Sequence, residues 1–398
     1  MATLLAPAPV RPVHYPRAAL TALALGAFGI GIAEFAVTGL LPSIAAGFGS
    51  SEASVGTAIS LYALGVVIGA PLITVAGARV PRQRLLLATV ALFAVGNGAA
   101  VVAPSIVAFD AARFVAGLPH GAYLALSAAT AASLVERERR GRATAFVAIG
   151  QTIASILGVP LAIGLGQAVS WRAALALAVV VFVVAFGAIL RHVPSRPEPA
   201  AAGPRATVRA LRNPVLWSGF AITATAFAGI YCVFSYIAPI TTQTAGLAAG
   251  AIPFVLMAFG VGLTLGAVAG GRLADWDVVR TVPLACLAGV VVLAGFAAVM
   301  SEPWAPFAGA FGLGLVLQLL LPSLQLRLMD AAPAVPAVAA AVNQAAISFA
   351  NVLGTATGGA LTAAGLGHAS HGYTAAAVAA AAAVLSYLLR PRVRGLVS

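Results

Sequence analysis

Residues 82–103 read RQRLLLATVALFAVGNGAAVVA: two arginines stand just before an apolar run that extends from Leu85 to Ala103. A run of this length can cross the hydrocarbon core of a bilayer, because roughly 20 helical residues span about 30 Å. The same alternation of arginine-bearing gap and apolar run continues along the chain, which is 61% hydrophobic and 8% charged. This composition is far from that of a soluble domain. We therefore predict an all-α polytopic membrane protein.

Twelve apolar runs have about the length that a transmembrane helix needs. They lie near residues 19–41, 55–77, 85–103, 106–134, 143–166, 171–190, 215–238, 250–270, 279–300, 304–326, 336–364 and 373–389. The sequence therefore predicts twelve transmembrane helices.

The arginines predict the orientation of these helices. All 22 basic residues are arginine, and 20 of them lie at the two ends of the chain or in the gaps after even-numbered runs. Arg172 alone lies in a gap on the other side, and Arg113 falls inside the fourth run. Because positive charge stays in the cytoplasm, we expect both termini to be cytoplasmic and the number of spans to be even.

A net charge of +12 also raises the question of a nucleic-acid partner. The arginines are spread over seven short cytoplasmic segments rather than gathered on one face, so we expect contact with the lipid bilayer and none with nucleic acid. Cys232 and Cys286 lie within predicted spans and indicate neither a disulfide nor a redox site. The first apolar run is too long for a signal peptide, so no cleaved leader is expected.

The longest polar stretch, Arg191 to Arg212, contains four prolines and five arginines. It predicts a solvated cytoplasmic linker over residues 191–213, between an N-terminal six-helix bundle (1–190) and a C-terminal one (214–398). The halves resemble each other weakly in sequence. The glycine–arginine loops near 77 and 271 are 194 positions apart, and the pairs Leu157-Gly158 and Leu353-Gly354 are 196 positions apart. A parallel repeat of six spans is a known transporter plan, with the binding site at the midplane between the halves.

Several motifs each lie in a particular predicted span. They are Ala27-Phe28-Gly29-Ile30-Gly31 and Glu34-Phe35 with Gly39-Leu40-Leu41-Pro42 in the first, Arg113-Phe114-Val115-Ala116-Gly117-Leu118-Pro119-His120-Gly121 in the fourth, Gly158-Val159-Pro160 with Gly164 in the fifth, Trp171-Arg172 after it, and Gly271-Arg272-Leu273-Ala274-Asp275 after the eighth. With these motifs the whole chain resembles the major facilitator superfamily, in its twelve-span drug:proton antiporter branch. It is similar to bacterial sugar-efflux and chloramphenicol-resistance-type exporters.

This resemblance implies the major facilitator fold, with twelve helices in two pseudo-symmetric bundles. It implies a proton-coupled secondary transporter of the bacterial plasma (inner) membrane that exports drug-like or sugar-like molecules by alternating access. Gly158 and Pro160 correspond to the motif associated with antiport, and Arg79, Arg272 and Asp275 to the conformational loop signature, whose usual Asp is missing in the first half. One chain holds both halves, so we expect a monomer, without cofactor or metal.

Charged residues inside the membrane are the candidates for proton coupling, because an ionised side chain at a helix centre costs about 2.5–3.5 kcal/mol on insertion scales. Glu34 and Arg113 each lie about seven residues from the outer end of a span, and so about 10 Å deep at 1.5 Å per residue. Asp110 is one turn further out on the face of Arg113, and His120 continues the same stripe. We predict Glu34, Arg113, Asp110 and His120 as the proton-coupling set.

Each of these residues also has a structural alternative. Glu34 could form a fixed ion pair with Arg113 or bind a backbone group. Arg113 could instead pair with Asp110 and anchor the fourth span, whereas Asp110 could simply reach the outer interface. His120 could stay neutral and bind a neighbouring helix.

Polar stripes in two further spans predict a substrate site. Gln151 in the fifth span and Gln344 and Asn351 in the eleventh could bind substrate in a central cavity, since polar groups in a bilayer must face protein or water. The alternative is that they join helices together. Tyr62 and Tyr231 could line the same cavity as aromatic walls, or pack against other helices. Gly158-Val159-Pro160 should kink the fifth span.

Other functional classes find less support in the sequence. An uptake symporter would share the fold, and only the antiport motif argues against it. An enzyme needs a cluster of catalytic groups, but the five histidines are scattered and no HExxH, GxSxG or P-loop motif occurs. A receptor would carry a longer soluble segment. Sugar, chloramphenicol-like drug, nucleobase and amino acid all remain alternatives for the substrate.

Overall fold

The computed structural model describes residues 17–77, 80–136, 139–195, 209, 212–331 and 336–389. All regular secondary structure in these ranges is helical. The helices are α1 (Arg17–Gly39), α2 (Leu41–Phe48), α3 (Glu52–Ala76), α4 (Arg82–Val101), α5 (Ile106–Gly117), α6 (His120–Ser133), α7 (Arg140–Ile153), α8 (Val159–Ala168), α9 (Trp171–His192), α10 (Pro214–Phe234), α11 (Ile252–Val299), α12 (Ala305–Ala331), α13 (Pro336–Ala363) and α14 (Ala369–Leu388). Two π-helical segments, Ala154–Gly158 and Ile240–Thr244, and two three-residue helical turns, Ile237–Pro239 and Ala249–Ala251, lie between them.

Ten helical segments in these ranges are long and apolar enough to cross a membrane, which confirms an all-α polytopic fold. The two predicted spans outside this set also coincide with helices. Residues 336–364 correspond to α13, and residues 106–134 are divided between α5 and α6. Pro119, which has no backbone N–H, interrupts this fourth span, so the single helix expected there is replaced by two. Membrane crossing by these two runs stays a prediction.

Helix α11 contains two crossings rather than one. It extends over 48 residues, but its two parts pack against α12 in opposite directions. In the first part α11 and α12 run parallel, because Gly262 contacts Phe311 and Gly266 contacts Leu315. In the second part they run antiparallel, because Val292 contacts Gly312 and Phe296 contacts Gly309. The chain therefore reverses direction within α11, as the separate spans 250–270 and 279–300 predicted.

Close glycine contacts repeat between the two halves. Gly65 lies against the backbone oxygen of Phe114, and Gly262 lies in the same way against that of Phe311. The contact between Gly117 and Tyr62 is repeated by the contact between Gly314 and Phe259. In both cases the second contact lies 197 positions after the first. A methyl group at any of the four glycines would overlap a backbone oxygen, so only glycine allows this approach. The repetition confirms that the halves are pseudo-symmetric.

The halves meet along two pairs of helices, α3 with α13 and the α7–α8 region with α11. At the arginine-poor end, Gln243 Nε2 donates to Glu52 Oε1 across the interface at 2.7 Å, and Gln167 Nε2 donates to the carbonyl oxygen of Ala249 at 2.7 Å. These two hydrogen bonds join the halves at that end of the interface. We call them the outer seal.

The expected distortion of the fifth span is present as the π-helical segment Ala154–Gly158. The segment ends where α8 begins, and Pro160 is the second residue of α8. A π-helical turn accommodates the missing proline N–H by shifting the hydrogen-bond register. The segment lies between Gly31 of α1 and Gly260 of α11, whose lack of side chains lets both helices approach it. Helices from both halves therefore touch the distorted turn.

Some of the predicted features lie outside the described residues. Arg79 and most of the linker, residues 196–208, lie outside the described residues, and the side chain of Asp275 is not described either. The boundaries at 190 and 214 therefore stay predictions. Arg272 is exposed at the arginine-rich end.

Candidate functional site

A cavity of about 300 Å³ lies between the two halves and is the candidate functional site. Both halves contribute to its wall, through helices α1, α3, α6 and α7 on one side and α10 to α13 on the other. It extends from mid-membrane toward the arginine-rich end, where Leu124, Ala148, Ala267 and Leu321 line it. Its polar lining consists of Glu34, Tyr62, His120, Gln151, Thr152, Ser155, Tyr231, Gln318, Gln344, Ser348 and Asn351.

A larger groove, of about 490 Å³, lies on the outside of the bundle between α11 and α14. Its wall is mostly apolar, with Leu284, Leu287 and Val384 among the residues that line it. These three side chains are exposed where lipid would cover them. The groove holds none of the carboxylates or amides that the central cavity brings together, so the smaller cavity is the better candidate site.

Seven predicted site residues line the central cavity: Glu34, Tyr62, His120, Gln151, Tyr231, Gln344 and Asn351. Arg113 is next to them, in a narrow space that it shares with Glu34 and Tyr62. Asp110 is not among the residues that line either space. The roles assigned to these residues stay predictions, but their convergence is a feature of the fold.

Arg113 is a buried cation with few partners. Its side chain is 1% exposed, and its Nη1 donates to Asn97 Oδ1 at 3.3 Å. The guanidinium carbon lies 4.3 Å from the centre of the Tyr62 ring, a cation–π contact. Nε has no hydrogen-bond partner. Across the described part of the chain, no ion pair joins Arg113 to Asp110 or to Glu34.

Asn97 is a functional candidate that the sequence analysis missed. It is fully buried on α4, where its Nδ2 donates to the carbonyl oxygen of Phe93 at 2.9 Å. That bond directs Oδ1 toward Arg113. An amide within an apolar run was the available signal, but the run gives no indication of the helix that the amide faces.

Tyr62 connects Arg113 to His120. Its hydroxyl lies 3.0 Å from His120 Nδ1, and the two rings meet edge to face with centroids 5.8 Å apart. His120 is 3% exposed. Because the face of Tyr62 contacts Arg113 and its hydroxyl contacts His120, one aromatic side chain joins two of the predicted coupling residues. Arg113 and His120 therefore both face into the bundle, despite the break at Pro119.

Glu34 has a different environment. Its carboxylate lines both the central cavity and the narrow space beside Arg113, and it forms no hydrogen bond with any described residue. Asp110, by contrast, is half-buried in the part of α5 nearer the arginine-poor end, with Oδ1 buried and without a partner. Of the predicted set, Glu34, Arg113 and His120 come together, whereas Asp110 lies apart.

The amide residues divide into two groups. Asn351 Oδ1 accepts from Thr355 Oγ1 at 3.0 Å, and Thr355 is 2.7 Å from Ser235 Oγ, so Asn351 belongs to a network that joins α10 to α13. Gln151 and Gln344 line the cavity together with Asn351, as does Gln318, which was missed although a glutamine in an apolar run is a visible signal. Among the described residues, no group of three or more His, Cys, Asp or Glu is placed to hold a metal ion.

Comparisons with known proteins cover nearly the whole chain. The family model described as Major Facilitator Superfamily matches residues 23–355. Inner membrane transport protein YdhP of Escherichia coli (strain K12) is 31% identical, over 94% of this chain and 96% of its own length. A chloramphenicol resistance protein of Streptomyces lividans is 33% identical, over 87% of this chain and 88% of its own length. The crystal structure of a D-xylose-proton symporter shares the fold, with a TM-score of 0.78 at 16% identity over 96% of this chain and 99% of that one.

Proposed function

This chain belongs to the major facilitator superfamily of membrane transporters, and we propose that it exports small molecules in exchange for protons by alternating access. The observation that carries the proposal is the grouping of Glu34, Arg113, Tyr62 and His120 at the wall of a cavity between two pseudo-symmetric halves. A membrane carboxylate without a fixed partner is a functional residue by default, because its burial has a cost that packing alone does not repay.

We assign the proton-carrying role to Glu34. Its carboxylate faces the space that substrate would occupy, so a bound substrate and a bound proton would compete for the same surroundings. Arg113 supplies a nearby fixed positive charge, which stabilises the ionised carboxylate once the proton leaves. Coupling then follows from linkage: each ligand lowers the affinity for the other by the same factor.

His120 and Tyr62 form the proposed route for the proton. The 3.0 Å contact between the Tyr62 hydroxyl and His120 Nδ1 continues from Arg113 toward the arginine-rich end of the cavity. Histidine and tyrosine can both donate and accept a proton through one hydrogen bond. Asp110 has no part in this proposal, because it lines neither the cavity nor the space beside Arg113.

The shape of the molecule corresponds to one of the two states that alternating access requires. The outer seal closes the arginine-poor end, and the cavity extends toward the arginine-rich end. If arginine-rich segments are cytoplasmic, this state faces inward. The π-helical segment Ala154–Gly158 touches both halves and lacks regular helical hydrogen bonding, so we propose it as the place where they rock against each other.

The proposed substrate is a small, uncharged, partly aromatic or hydroxylated molecule. A volume of about 300 Å³ is at the lower end of the range for ligand pockets. Phe35, Phe227 and Phe259 offer apolar contact, and the glutamines offer hydrogen bonds to hydroxyl or amide groups. A chloramphenicol-like drug fits this chemistry, as the name of the Streptomyces lividans relative suggests, and a sugar is the second candidate.

The test is a transport assay in proteoliposomes of defined orientation. An imposed proton gradient should drive chloramphenicol against its own gradient in the direction opposite to the protons, and Glu34→Gln should abolish this drive. Asp110→Asn is the matched control: it neutralises another membrane carboxylate and should leave coupling intact. Movement of substrate and protons in the same direction would instead identify an uptake symporter. Full drive in the Glu34→Gln variant would exclude Glu34 as the carrier.

A further inference from the structure

A group of polar and aromatic side chains behind the outer seal has no part in the proposed transport site. It centres on His371, in the first turn of α14, with His368 just before that helix. His371 is completely buried, and its ring meets the rings of Tyr236 and His368 edge to face, with centroids 5.2 and 5.4 Å apart. A histidine buried among neutral side chains is the kind of group that a proton can disturb strongly.

The hydrogen bonds around His371 determine which of its ring nitrogens is free. Thr362 Oγ1 donates its single proton to the carbonyl oxygen of Gly358 at 2.9 Å. The 3.2 Å contact between Thr362 Oγ1 and His371 Nε2 must therefore have Nε2–H as the donor. That tautomer leaves Nδ1 as a lone-pair acceptor, and Nδ1 is buried without a partner. The structure thus contains one buried basic nitrogen that no donor satisfies.

Two contacts connect this histidine pair to the seal. His368 Nδ1 lies 2.7 Å from Thr244 Oγ1, and the preceding residue, Gln243, donates to Glu52 of the other half. Tyr236, which packs on His371, donates its hydroxyl to the carbonyl oxygen of Thr355 at 3.2 Å. The same hydroxyl also lies directly against Gly56 of α3, one turn after Glu52. The two histidines therefore contact the segments that hold the halves together at this end.

We infer that His371 is a second proton-binding site, whose protonation at Nδ1 opens the outer seal. A proton on Nδ1 would create a cation among neutral groups, and an unpaired buried charge costs several kcal/mol. An open seal would let water reach the ring and remove this cost. Because the open form binds the proton more tightly, acid on the outer side favours opening. The inference builds on the proposed transport function, in which an acidic exterior loads the carrier with protons.

Among the residues that the structure describes, the other titratable groups around His371 are few. They are the Cys232 thiol on α10, which donates to the carbonyl oxygen of His371, the Tyr236 hydroxyl, and His368. Burial lowers the pKa of His368, so at neutral pH that ring is uncharged and its contact with Thr244 is intact. Leu293 and Ala297 of α11, which contact neighbouring Gly372, do not titrate. Glu52, which accepts from Gln243 and lies one turn before Gly56, is the acidic group at the seal itself.

The experiment measures opening directly, without substrate. Spin labels at Ala46→Cys and Ala248→Cys, exposed positions on the two halves, report the distance across the outer end in a Cys232→Ser, Cys286→Ser background. Between pH 7.5 and 5.5 the long-distance population should rise by up to about tenfold per pH unit, the limit for one linked proton. In His371→Gln, whose amide can still donate to Thr362, the rise should be lost.

Three further variants separate this site from its neighbours. His368→Gln and Glu52→Gln should keep the pH-dependent rise, because neither replaces the nitrogen that takes the proton. Glu34→Gln should also keep the pH-dependent rise, because opening is measured without substrate. The test of His371 therefore stays independent of whether Glu34 couples proton and substrate. A rise that persists in His371→Gln, or that is absent from the parent protein, would overturn the inference. A rise lost only in Glu34→Gln would assign the pH response to the central cavity instead.

Discussion

The two halves share one backbone plan but differ in chemistry where they line the central cavity. The 197-position repeat relates Tyr62 to Phe259, Arg113 to Ala310, and His120 to Leu317. Extended to the first helix of each half, it relates Glu34 to Tyr231. Each titratable group of the proposed coupling set thus has a counterpart that carries no charge. Phe259 stacks on Phe234 with ring centroids 4.0 Å apart, where its counterpart Tyr62 contacts a guanidinium and a histidine.

This difference indicates a division of labour within one symmetric scaffold. In the proposed mechanism the groups that couple proton and substrate at the central cavity all belong to the N-terminal half, and the C-terminal half supplies an apolar and amide-bearing wall. A buried cation needs hydrogen-bond partners. In the N-terminal half Asn97 accepts from Arg113, whereas the position equivalent to Asn97 in the C-terminal half is occupied by Ala294. The shared backbone fixes where side chains point, whereas the individual residues decide what each wall can do.

Transferring the arginine to the other half should have the largest effect. Ala310 is fully buried, so Ala310→Arg would place a cation where the described contacts provide no counterpart of Asn97 or Tyr62. The expected cost is several kcal/mol, enough to prevent folding. The yield of monodisperse protein should fall sharply, whereas Ala308→Arg, at an exposed position near the helix end, should be tolerated. Normal yield and thermal stability of Ala310→Arg would show that the C-terminal half can also accommodate a buried cation, which would contradict the proposed difference between the halves.

Removing the arginine from its own half should disable transport with less damage to folding. Arg113→Leu leaves Asn97 Oδ1 without its donor and Glu34 without a nearby cation. A hydrogen bond to a charged group contributes about 1.5–3 kcal/mol, so proton-driven transport should fall roughly 10- to 150-fold. Initial rates in proteoliposomes at matched protein content give the measurement. Asn97→Ala should show a smaller decrease in the same direction, and unchanged rates in both variants would contradict a role for this pair.

Exchanging the aromatic pair should have the smallest effect. Tyr62→Phe keeps the ring under Arg113 but removes the hydroxyl that contacts His120, at a cost of about 0.5–1.5 kcal/mol for one neutral hydrogen bond. Transport should fall by up to about tenfold and its pH profile should shift. Phe259→Tyr, the counterpart, should leave the pH profile unchanged, because no charged residue occupies the equivalent of position 113. Equal shifts in both variants would indicate that the hydroxyl acts only through packing.

Much of this picture could be predicted from the sequence because hydropathy and charge act at the level of single residues. The apolar runs predict the all-α polytopic fold, and the cost of charge in a bilayer identifies Glu34, Arg113 and Asp110 as exceptional residues. The family motifs correctly indicated the superfamily to which the chain belongs. These predictions need no knowledge of which helices are neighbours.

Contacts between distant helices could not be predicted in this way. Tyr62 and His120 are 58 positions apart, and Asn97 and Arg113 belong to different helices. Asp110 shares a helix face with Arg113, yet no ion pair joins them; the guanidinium contacts Asn97 and Tyr62, which belong to other helices.

Substrate-induced proton release from purified protein tests the central claim most directly. In weakly buffered detergent solution near neutral pH, adding the compound that the protein exports should release protons from the parent protein, because substrate and proton compete at Glu34. The Glu34→Gln variant should bind the same compound and release none. Undiminished proton release from Glu34→Gln would contradict the account and move the coupling role to another group of the cavity, with His120 the first to examine.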